Sequence, residues 1–310
     1  MSIMKTDVLI FGRNGQVAYS LLRAAPSDMV IRSAGRPEVD LTSERAIRES
    51  IAEHSPRLIV NAAAYTAVDL AEREQELAFS MNAEAPRIMA DEAALRGIPL
   101  VHYSSDYVYS GEKRQPYIED DVTGPLNAYG SSKLAGDDAI MASGADHIIL
   151  RTCWVYASRR QNFLLTMLRM ARERRELRVV NDQFGSPTSV NFIAEATWKI
   201  TRRLLDASTL ERQQLSGVFH LACSGVTTWH GFAEAIFSEA RSRKVSLAIE
   251  SLLPISSEEY PTPARRPRYS VLNCEKLERT FGVRAPDWKS ALGSTMNELK
   301  QDTEKLELSL

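Results

Sequence analysis

Short apolar runs alternate with segments of helical spacing through the first half of the chain. Continuous apolar or β-branched runs predict strands at 8–11, 29–31, 58–60, 98–101 and 148–150. Between them, apolar residues three and four positions apart predict helices at 16–25, 43–53, 68–95 and 128–142. Strands that alternate with helices form βαβ units, and continuous apolar strands indicate a sheet buried on both faces. The pattern therefore predicts an α/β fold with a Rossmann-type, doubly wound parallel sheet.

The second half of the chain is less regular, and it predicts a smaller, mostly C-terminal domain. Helical spacing recurs at 163–173, 191–205 and 229–241. We expect late strands near 177–181 and 218–222 to rejoin the parallel sheet. The expected division is therefore a first domain over 1–153 and a second domain over 154–310.

Composition and charge narrow the class of protein. Of the 310 residues, 44% are hydrophobic and 25% are charged, as in ordinary globular proteins. Lys and Arg number 38 against 40 Asp and Glu, so the net charge of −2 argues against a nucleic-acid binder. The sequence has neither an apolar run long enough to span a bilayer nor the pattern of a signal peptide. Three widely spaced cysteines predict no disulfide framework and no zinc site, so we expect a cytoplasmic protein without a membrane partner.

A glycine-rich turn follows the first predicted strand. Gly12, Asn14, Gly15, Gln16 and Val17 lie between that strand and the first predicted helix. Glycine permits a tight turn and a close approach of the backbone to a pyrophosphate, and the helix N-terminus supplies free N–H groups and a partial positive charge. Strand, turn and helix together favour dinucleotide binding, and the alternative is an ordinary βα turn.

The end of the second predicted strand indicates which dinucleotide the turn would bind. NAD sites usually place an acidic residue there, but residues 32–36 include no acid and two arginines, Arg32 and Arg36. Arginine can pair with a 2′-phosphate, which favours NADPH and leaves NADH as the second candidate. The alternative is that both arginines are solvated surface charges. Asp40 and Leu41 follow at positions that would contact the adenine end of the cofactor.

A tyrosine and a lysine stand four residues apart at the start of a predicted helix. Tyr129 and Lys133 therefore share one helix face. A tyrosine hydroxyl titrates at about 10, and a nearby ammonium lowers its pKa, so the pair can donate a proton to a substrate carbonyl. Ser105 lies at the carboxyl end of a predicted strand, where open parallel sheets bind ligands, and it can hydrogen-bond the same carbonyl. A packed aromatic side chain and a turn serine are the alternatives.

Longer strings along nearly the whole chain carry a family resemblance. They lie at 11–17, 60–69, 102–109, 125–130, 151–156, 181–188 and 266–267. Asn-Ala-Ala-Ala at 61–64 and Asp-Gln-Phe-Gly-Ser-Pro-Thr at 182–188 are far more specific than the glycine turn. Together with Ser105, Tyr129 and Lys133, these strings make the chain similar to the extended short-chain dehydrogenase/reductases. More narrowly, it resembles the dTDP-4-dehydrorhamnose reductase family.

The resemblance implies an activity. Members of this family use NADPH to reduce the 4-keto group of dTDP-4-dehydro-6-deoxy-L-mannose and form dTDP-L-rhamnose. The first domain would bind the cofactor, and the second would close over the nucleotide sugar. Tyr129 would act as the general acid, and Lys133 would lower its pKa and bind the nicotinamide ribose.

The family's other roles carry over onto matching positions. The cofactor would contact residues of the glycine turn, the strand ends and the Tyr/Lys helix, namely Gly12, Asn14, Gly15, Gln16, Val17, Arg36, Asp40, Leu41, Ala62, Ala63, Ala64, Tyr103, Tyr129 and Lys133. The substrate would contact Ser105, Asp106, Trp154 and Arg266. Trp154 would lie along the nucleotide sugar, and Arg266 would pair with its pyrophosphate unless it is an ordinary loop arginine.

Two positions depart from the family pattern. Some members hold a metal at a dimer contact through glutamates, where this chain has Ser20 and Asn191. A divalent ion favours a cluster of carboxylate oxygens, and Glu298 alone would be too little. We therefore expect no metal, and either a monomer or a metal-independent homodimer.

Related activities stay open on the sequence alone. A nucleotide-sugar 4,6-dehydratase would carry a second carboxylate after the strand-end hydroxyl, whereas Ser105 is followed by Asp106 and Tyr107. An epimerase would retain its cofactor, and another 4-ketoreductase would give the talose isomer. A non-catalytic alternative is a regulatory subunit that resembles the β subunit of methionine adenosyltransferase. Ser105, Tyr129 and Lys133 are all intact, which favours the enzyme.

Overall fold

Short strands and helices alternate through most of the chain. A computed structural model describes residues 6–307, with only the helical backbone for 300–307, so residues 1–5 and 308–310 of the two expected domains lie outside it. The strands are β1 (Val8–Phe11), β2 (Ile31–Ala34), β3 (Leu58–Asn61), β4 (Leu100–Ser105), β5 (His147–Thr152), β6 (Val155–Tyr156), β7 (Glu176–Val180), β8 (Phe184–Gly185), β9 (Thr188–Ser189), β10 (Gly217–His220), β11 (Thr227–Thr228) and β12 (Ser251–Ile255). The helices are α1 (Gln16–Arg23), α2 (Glu44–His54), α3 (Val68–Ala71), α4 (Gln75–Phe79), α5 (Ala85–Arg96), α6 (Ala128–Ala142), α7 (Phe163–Glu173), α8 (Val190–Asp206), α9 (Thr209–Leu215), α10 (Trp229–Ser242), α11 (Glu275–Phe281) and α12 (Trp288–Glu307).

Six parallel strands form the central sheet, in the order β10-β5-β4-β3-β1-β2. The strand order reverses at β1, because β2 lies on one side of it and β3, β4 and β5 follow on the other. Phe11 and Asn61 are paired at the carboxyl ends of β1 and β3. A crevice beyond such a switch point is where open α/β sheets bind their ligands.

Helices cover both faces of the sheet, as the continuous apolar strands predict. Along β1, Val8 and Ile10 belong to the core that also contains residues of α1 and α8. Leu9 and Phe11 belong to the opposite core, which contains residues of α2 and α5. Alternate side chains of one strand therefore enter two cores, and the predicted doubly wound Rossmann-type fold is confirmed.

The C-terminal half adds three two-stranded sheets, β7 with β12, β6 with β9 and β8 with β11. Of the two late strands, β10 pairs with β5 at the edge of the central sheet. The strand near 177–181 does not rejoin that sheet, so this expectation is wrong. Because β10 already occupies the edge beside β5, β7 pairs instead with β12. Within residues 6–307, every helix is too short or too polar to span a membrane.

Candidate active site

The glycine turn lies at the switch point of the central sheet. Gly12 has a φ of +118°, and a Cβ built there would lie 3.1 Å from the Cβ of Ala18 and from the backbone of Ala62. Glycine is therefore required for the chain to turn from β1 toward α1 so close to Ala62. Gly15 caps α1 without a side-chain hydrogen bond, which leaves backbone N–H groups at the helix N-terminus unpaired by a cap.

The first residue of α1 carries an unsatisfied polar atom. The Oε1 atom of Gln16 is buried, and it has no hydrogen-bond partner among the described residues. A buried polar atom without a partner is costly unless a ligand or water completes it. The uncapped helix N-terminus and the Gly12 turn together fit a phosphate-bearing ligand at this end of β1, and the Gln16 Oε1 atom would need a donor such as a ligand hydroxyl or water.

An acidic residue that the sequence analysis missed lies beside the glycine turn. Arg13 Nη1 donates a hydrogen bond of 2.7 Å to Glu38 Oε2, and this bond lowers the pKa of Glu38. Arg32 and Arg36 are both exposed, but Arg32 is the second residue of β2 and only Arg36 follows the strand. Glu38 lies two residues beyond the stretch in which no acid was found, so a wider window would have included it.

The other predicted contacts of the adenosine lie at two neighbouring strand ends. Asp40 accepts hydrogen bonds from the backbone and hydroxyl of Thr42, which lower its pKa, and Leu41 is buried. Residues 62–64 follow β3, where Asn61 Oδ1 accepts a hydrogen bond of 3.2 Å from the backbone N–H of Ala63. The alanines are partly exposed, as expected for small residues that leave room for a ligand.

The start of α6 places Tyr129 against the segment that follows β4. Asn127 caps the helix by accepting a hydrogen bond of 2.7 Å from the Gly130 N–H, and its amide donates to the Arg265 carbonyl. A Cβ at Gly130 would lie 2.2 Å from the Tyr107 carbonyl, so only glycine permits this contact. The Tyr129 ring consequently packs edge-on to Tyr107, with ring centroids 5.8 Å apart.

Lys133 is buried one helical turn beyond Tyr129. Its Nζ donates a hydrogen bond of 2.6 Å to the Tyr103 carbonyl and lies 3.2 Å from His102 Nε2. Burial lowers the pKa of Lys133 to about 8. The Tyr103 hydroxyl is bonded to Thr197 of α8, so Tyr103 contacts Lys133 through its backbone oxygen.

The pKa of Tyr129 is raised, whereas the sequence analysis expected it to be lowered. Burial raises it to about 12, although a hydrogen bond with Ser105 opposes the rise. Lys133 was expected to lower the pKa of Tyr129, but its ammonium donates a hydrogen bond to the Tyr103 carbonyl of β4 instead. The described groups therefore hold Tyr129 in its protonated form, which is the form that an acid needs.

Ser105 and Asp106 form a buried polar pair at the end of β4. Ser105 Oγ donates to Asp106 Oδ1 over 3.0 Å and accepts from the Tyr107 N–H over 3.1 Å. Asp106 is 2% exposed, and burial raises its pKa to about 7. Hydrogen bonds from Ser105 and Ser270 to this carboxyl group oppose the rise.

A cleft of about 1470 Å³ opens between α7 and the stretch at 257–269, and its lining includes Arg266 but not Ser105, Tyr129 or Trp154. Its lining includes six cations, Lys113, Arg114, Arg178, Arg265, Arg266 and Arg268. Arg266 makes a two-point ion pair with Asp69, at 2.8 and 3.1 Å. Since the Arg265 carbonyl accepts the Asn127 amide, the cleft is joined to the start of α6.

Trp154 lies between the end of β5 and the cleft. It has a φ of +46°, which is uncommon for a residue with a side chain and typical of functional sites. Its ring stacks on Trp229, with centroids 3.6 Å apart and planes 7° apart. Trp229 lines the cleft and packs against Phe163, so it is an aromatic wall that the sequence analysis missed. Only the long-range contact with Trp154 distinguishes Trp229 from an ordinary helix residue.

Ser20 and Asn191 are neighbours in the structure. Asn191 Nδ2 donates a hydrogen bond of 2.9 Å to Glu298, which also pairs with Arg23. Ser20 Oγ lies 3.4 Å from Asn191 Oδ1. In the described part of the chain, no three His, Cys, Asp or Glu side chains gather as a metal-binding group. The expectation of a metal-independent protein stays a prediction.

Comparison with known proteins gives a consistent set of relatives. A family model described as the RmlD substrate binding domain matches residues 4–301. A dTDP-4-dehydrorhamnose reductase of Sinorhizobium fredii is 45% identical over 285 residues, which cover 91% of this chain and 94% of that protein. A dTDP-4-dehydrorhamnose reductase of Escherichia coli K12 is 41% identical over 297 residues, which cover 94% and 98% of the two chains.

A solved structure agrees with the sequence relatives. The crystal structure of dTDP-4-dehydrorhamnose reductase from Bacillus anthracis in complex with NADP is 33% identical, with a TM-score of 0.86. The match covers 95% of this chain and 100% of that chain. The Bordetella bronchiseptica enzyme WbmG, solved with NAD and UDP, is 16% identical with a TM-score of 0.74, which shows a shared fold alone.

Proposed function

This chain belongs to the RmlD substrate binding domain family, and from that premise we propose that it reduces dTDP-4-dehydro-6-deoxy-L-mannose to dTDP-L-rhamnose with NADPH. One observation carries the proposal beyond the family. Tyr129 of α6 is hydrogen-bonded with Ser105 at the end of β4, Lys133 one turn later donates to the Tyr103 carbonyl of the same strand, and the glycine turn lies at the switch point of the same sheet. The chain is therefore an NADPH-dependent oxidoreductase that acts on a nucleotide sugar.

The cofactor would be held at the ends of β1, β2 and β3. The N-terminus of α1 would take its pyrophosphate through backbone N–H groups, with Gln16 beside it. Arg32 and Arg36 would face a 2′-phosphate, while Arg13 neutralises the nearby Glu38. Residues 62–64 would border the adenosine. When bound, the reduced nicotinamide supplies the hydride for the reduction.

Tyr129 would be the proton donor at the keto oxygen. It is held protonated by burial, and its hydroxyl is hydrogen-bonded with Ser105. The single hydroxyl proton of Ser105, which donates to Asp106 in the structure, would turn to the keto oxygen when substrate binds. Asp106, which follows β4 and binds Ser105, would accept from a sugar hydroxyl. Lys133 would supply positive charge beside Tyr129, so that it stabilises the phenolate that remains after the proton has left.

The nucleotide part of the substrate would lie in the cleft. The cations of its lining complement a diphosphate, and Arg266 would contact it next to the Tyr129 helix. Trp154 and Trp229 would border the sugar from the other side. This placement brings the keto group toward Tyr129 and leaves the nucleoside at the open end of the cleft.

The test is turnover of the purified protein with NADPH and the keto-sugar nucleotide. We expect NADPH to be oxidised in step with the formation of dTDP-L-rhamnose, identified by NMR. A binding subunit would bind NADPH without oxidising it, and an epimerase or a dehydratase would not consume it. Formation of the talose isomer would keep the reductase and overturn the proposed product.

We also propose that the reaction needs no metal, and that the protein acts as a monomer or a metal-independent homodimer. The proton donor and the carbonyl-binding hydroxyl are side chains of this chain, and Glu298 is already paired with Arg23 and Asn191. Excess chelator should therefore leave both turnover and the mass in solution unchanged. Loss of either one, with recovery on addition of magnesium, would contradict this. The cytoplasmic location expected from the sequence stays a prediction.

A further inference from the structure

Helix α6 carries a third ionisable residue on the face that holds Tyr129 and Lys133. Asp137 follows Lys133 by four residues, as Lys133 follows Tyr129, so the three lie along one stripe of the helix. Lys133 is 1% exposed and Asp137 is 0% exposed. A carboxylate is rarely buried this completely unless another charge requires it.

The carboxylate of Asp137 is held from two neighbouring strands. Its Oδ2 atom accepts a hydrogen bond of 2.9 Å from Ser104 Oγ of β4 and one of 3.1 Å from Arg151 Nε of β5. Its Oδ1 atom has no hydrogen-bond partner among the described residues. Arg151 also has a second partner, because its Nη1 donates a hydrogen bond of 2.8 Å to the Tyr109 hydroxyl.

Among the groups that surround Lys133, Asp137 is the main negative charge. From β4, Lys133 faces the Tyr103 carbonyl and His102, which burial and the Lys133 charge keep neutral by lowering its pKa far below the usual value. From its own helix it faces Tyr129, which is neutral, and Asp137.

Two further charged groups complete the surroundings. Arg151 on β5 is a second buried cation that binds Asp137. Asp106, at the end of β4, is buried, which raises its pKa to about 7, so near neutral pH it carries only part of a charge. Burial lowers the pKa of Lys133, and the charge of Asp137 opposes this lowering.

We propose that Asp137 is a positioning residue for the reduction, because its carboxylate keeps Lys133 in the ammonium form within the buried site. Ser104 and Arg151 fix that carboxylate without using its Oδ1 atom. The proposal rests on the proposed function, in which the Lys133 ammonium supports Tyr129 and the cofactor ribose. If Asp137 served only to join α6 to β5, its ion pair with Arg151 would be sufficient. Its position on the same helix face as Lys133 would then have no role.

Replacing Asp137 with asparagine tests this role, because the amide keeps the shape of the side chain and removes its charge. Without the carboxylate, less stabilises the ammonium, so Lys133 loses its proton at lower pH. In Asp137→Asn, we expect the fall in NADPH affinity at alkaline pH, measured by cofactor fluorescence, to move to lower pH by about one pH unit. The alkaline fall in kcat should move in the same direction by the same amount. The matched control is Asp138→Asn, because Asp138 is the next residue of α6 and is exposed. It should keep the wild-type profile.

The outcomes separate a positioning role from a structural one. A profile that stays in place while the melting temperature falls would overturn the proposal and leave a structural ion pair. If Asp137→Asn does not fold, Ser104→Ala replaces it, because it removes one donor from the carboxylate. That variant should shift the alkaline fall in NADPH affinity in the same direction by less, and an unshifted fall would overturn the proposal. If the wild type binds NADPH without reducing the keto sugar, the proposed function fails, and the binding profile alone still decides the role of Asp137.

Discussion

The proposed catalytic end of the site (Ser105, Tyr129 and Lys133) and the proposed substrate cleft meet at the start of α6. They differ in whether their charged side chains are buried or exposed. At the catalytic end, Lys133 and Asp137 are buried and bound to atoms of β4 and β5. In the cleft, Arg268 lies 3.6 Å from Glu258, and their side chains are 72% and 84% exposed. Arg178 likewise pairs with an exposed glutamate.

This difference indicates two ways in which the protein uses charge. Buried groups that are already hydrogen-bonded need no rearrangement during the reaction, so their effect appears in the rate. Exposed ion pairs contribute little by themselves, and a ligand diphosphate can displace their partners at small cost. Changes at the catalytic end should therefore lower kcat, whereas changes in the cleft should raise the KM for the nucleotide sugar.

Tyr129→Phe should give the largest effect. The ring and its contact with Tyr107 remain, but the proton donor is lost, so kcat should fall by about 100-fold or more while NADPH binding is kept. Steady-state kinetics and cofactor titration measure the two quantities. Near-normal kcat in this variant would remove Tyr129 from the mechanism.

Ser105→Ala should have a smaller effect of the same kind. It removes a hydroxyl that would hydrogen-bond the keto oxygen, and kcat should fall by about 30-fold with little change in KM. A change in KM alone would place Ser105 with the cleft and break the comparison. Crystallographic or circular dichroism checks of the fold serve as the control, because the hydroxyl also accepts from the Tyr107 N–H.

Arg266→Gln tests the cleft side of the comparison. We expect the KM for the nucleotide sugar to rise by about 10-fold with kcat nearly unchanged, because a charged contact to the diphosphate is lost. Asp69→Asn is the matched control, since it breaks the same ion pair from the other side. Equal losses of affinity in the two variants would show that the ion pair, and not a contact with substrate, is what matters.

The smallest effect is expected from replacing Arg32 and Arg36 with alanine together. Both arginines are exposed, so each contact with a 2′-phosphate would be weak. The KM for NADPH should rise by about 3-fold and that for NADH should stay the same. A wild-type protein with clearly higher kcat/KM for NADH would contradict the interpretation of these arginines.

Local signals in the sequence were sufficient to place the glycine turn and the Tyr129/Lys133 pair in the fold. The turn at Gly12 and the four-residue spacing of Tyr129 and Lys133 are set by neighbouring residues, and the structure keeps both on the expected elements. The single helix expected over 68–95 is instead α3, α4, a π-helical turn (Ser80–Glu84) and α5. Asn82 of this turn donates to the Tyr65 carbonyl and to Ser132, and such long-range contacts have no periodic signature.

The cleft was harder to predict because distant segments build it. Trp229 becomes a wall residue only through its contact with Trp154, 75 positions earlier in the chain. The pairing of β7 with β12 likewise depends on β10 filling the edge of the central sheet. Asp69 binds Arg266 and would compete with the substrate for it. The string at 60–69 contains Asp69 but gives no sign that Arg266 is its partner.

The stacked rings of Trp154 and Trp229 also give the protein an optical property. Two indoles stacked at 3.6 Å couple their electronic excitations, and a twist between their in-plane transition dipoles gives a paired positive and negative band in the ultraviolet circular dichroism spectrum. The bands depend on the mutual orientation of the two rings, so any event that separates or rotates them changes the spectrum. The wall of the cleft therefore reports on its own geometry without an added label.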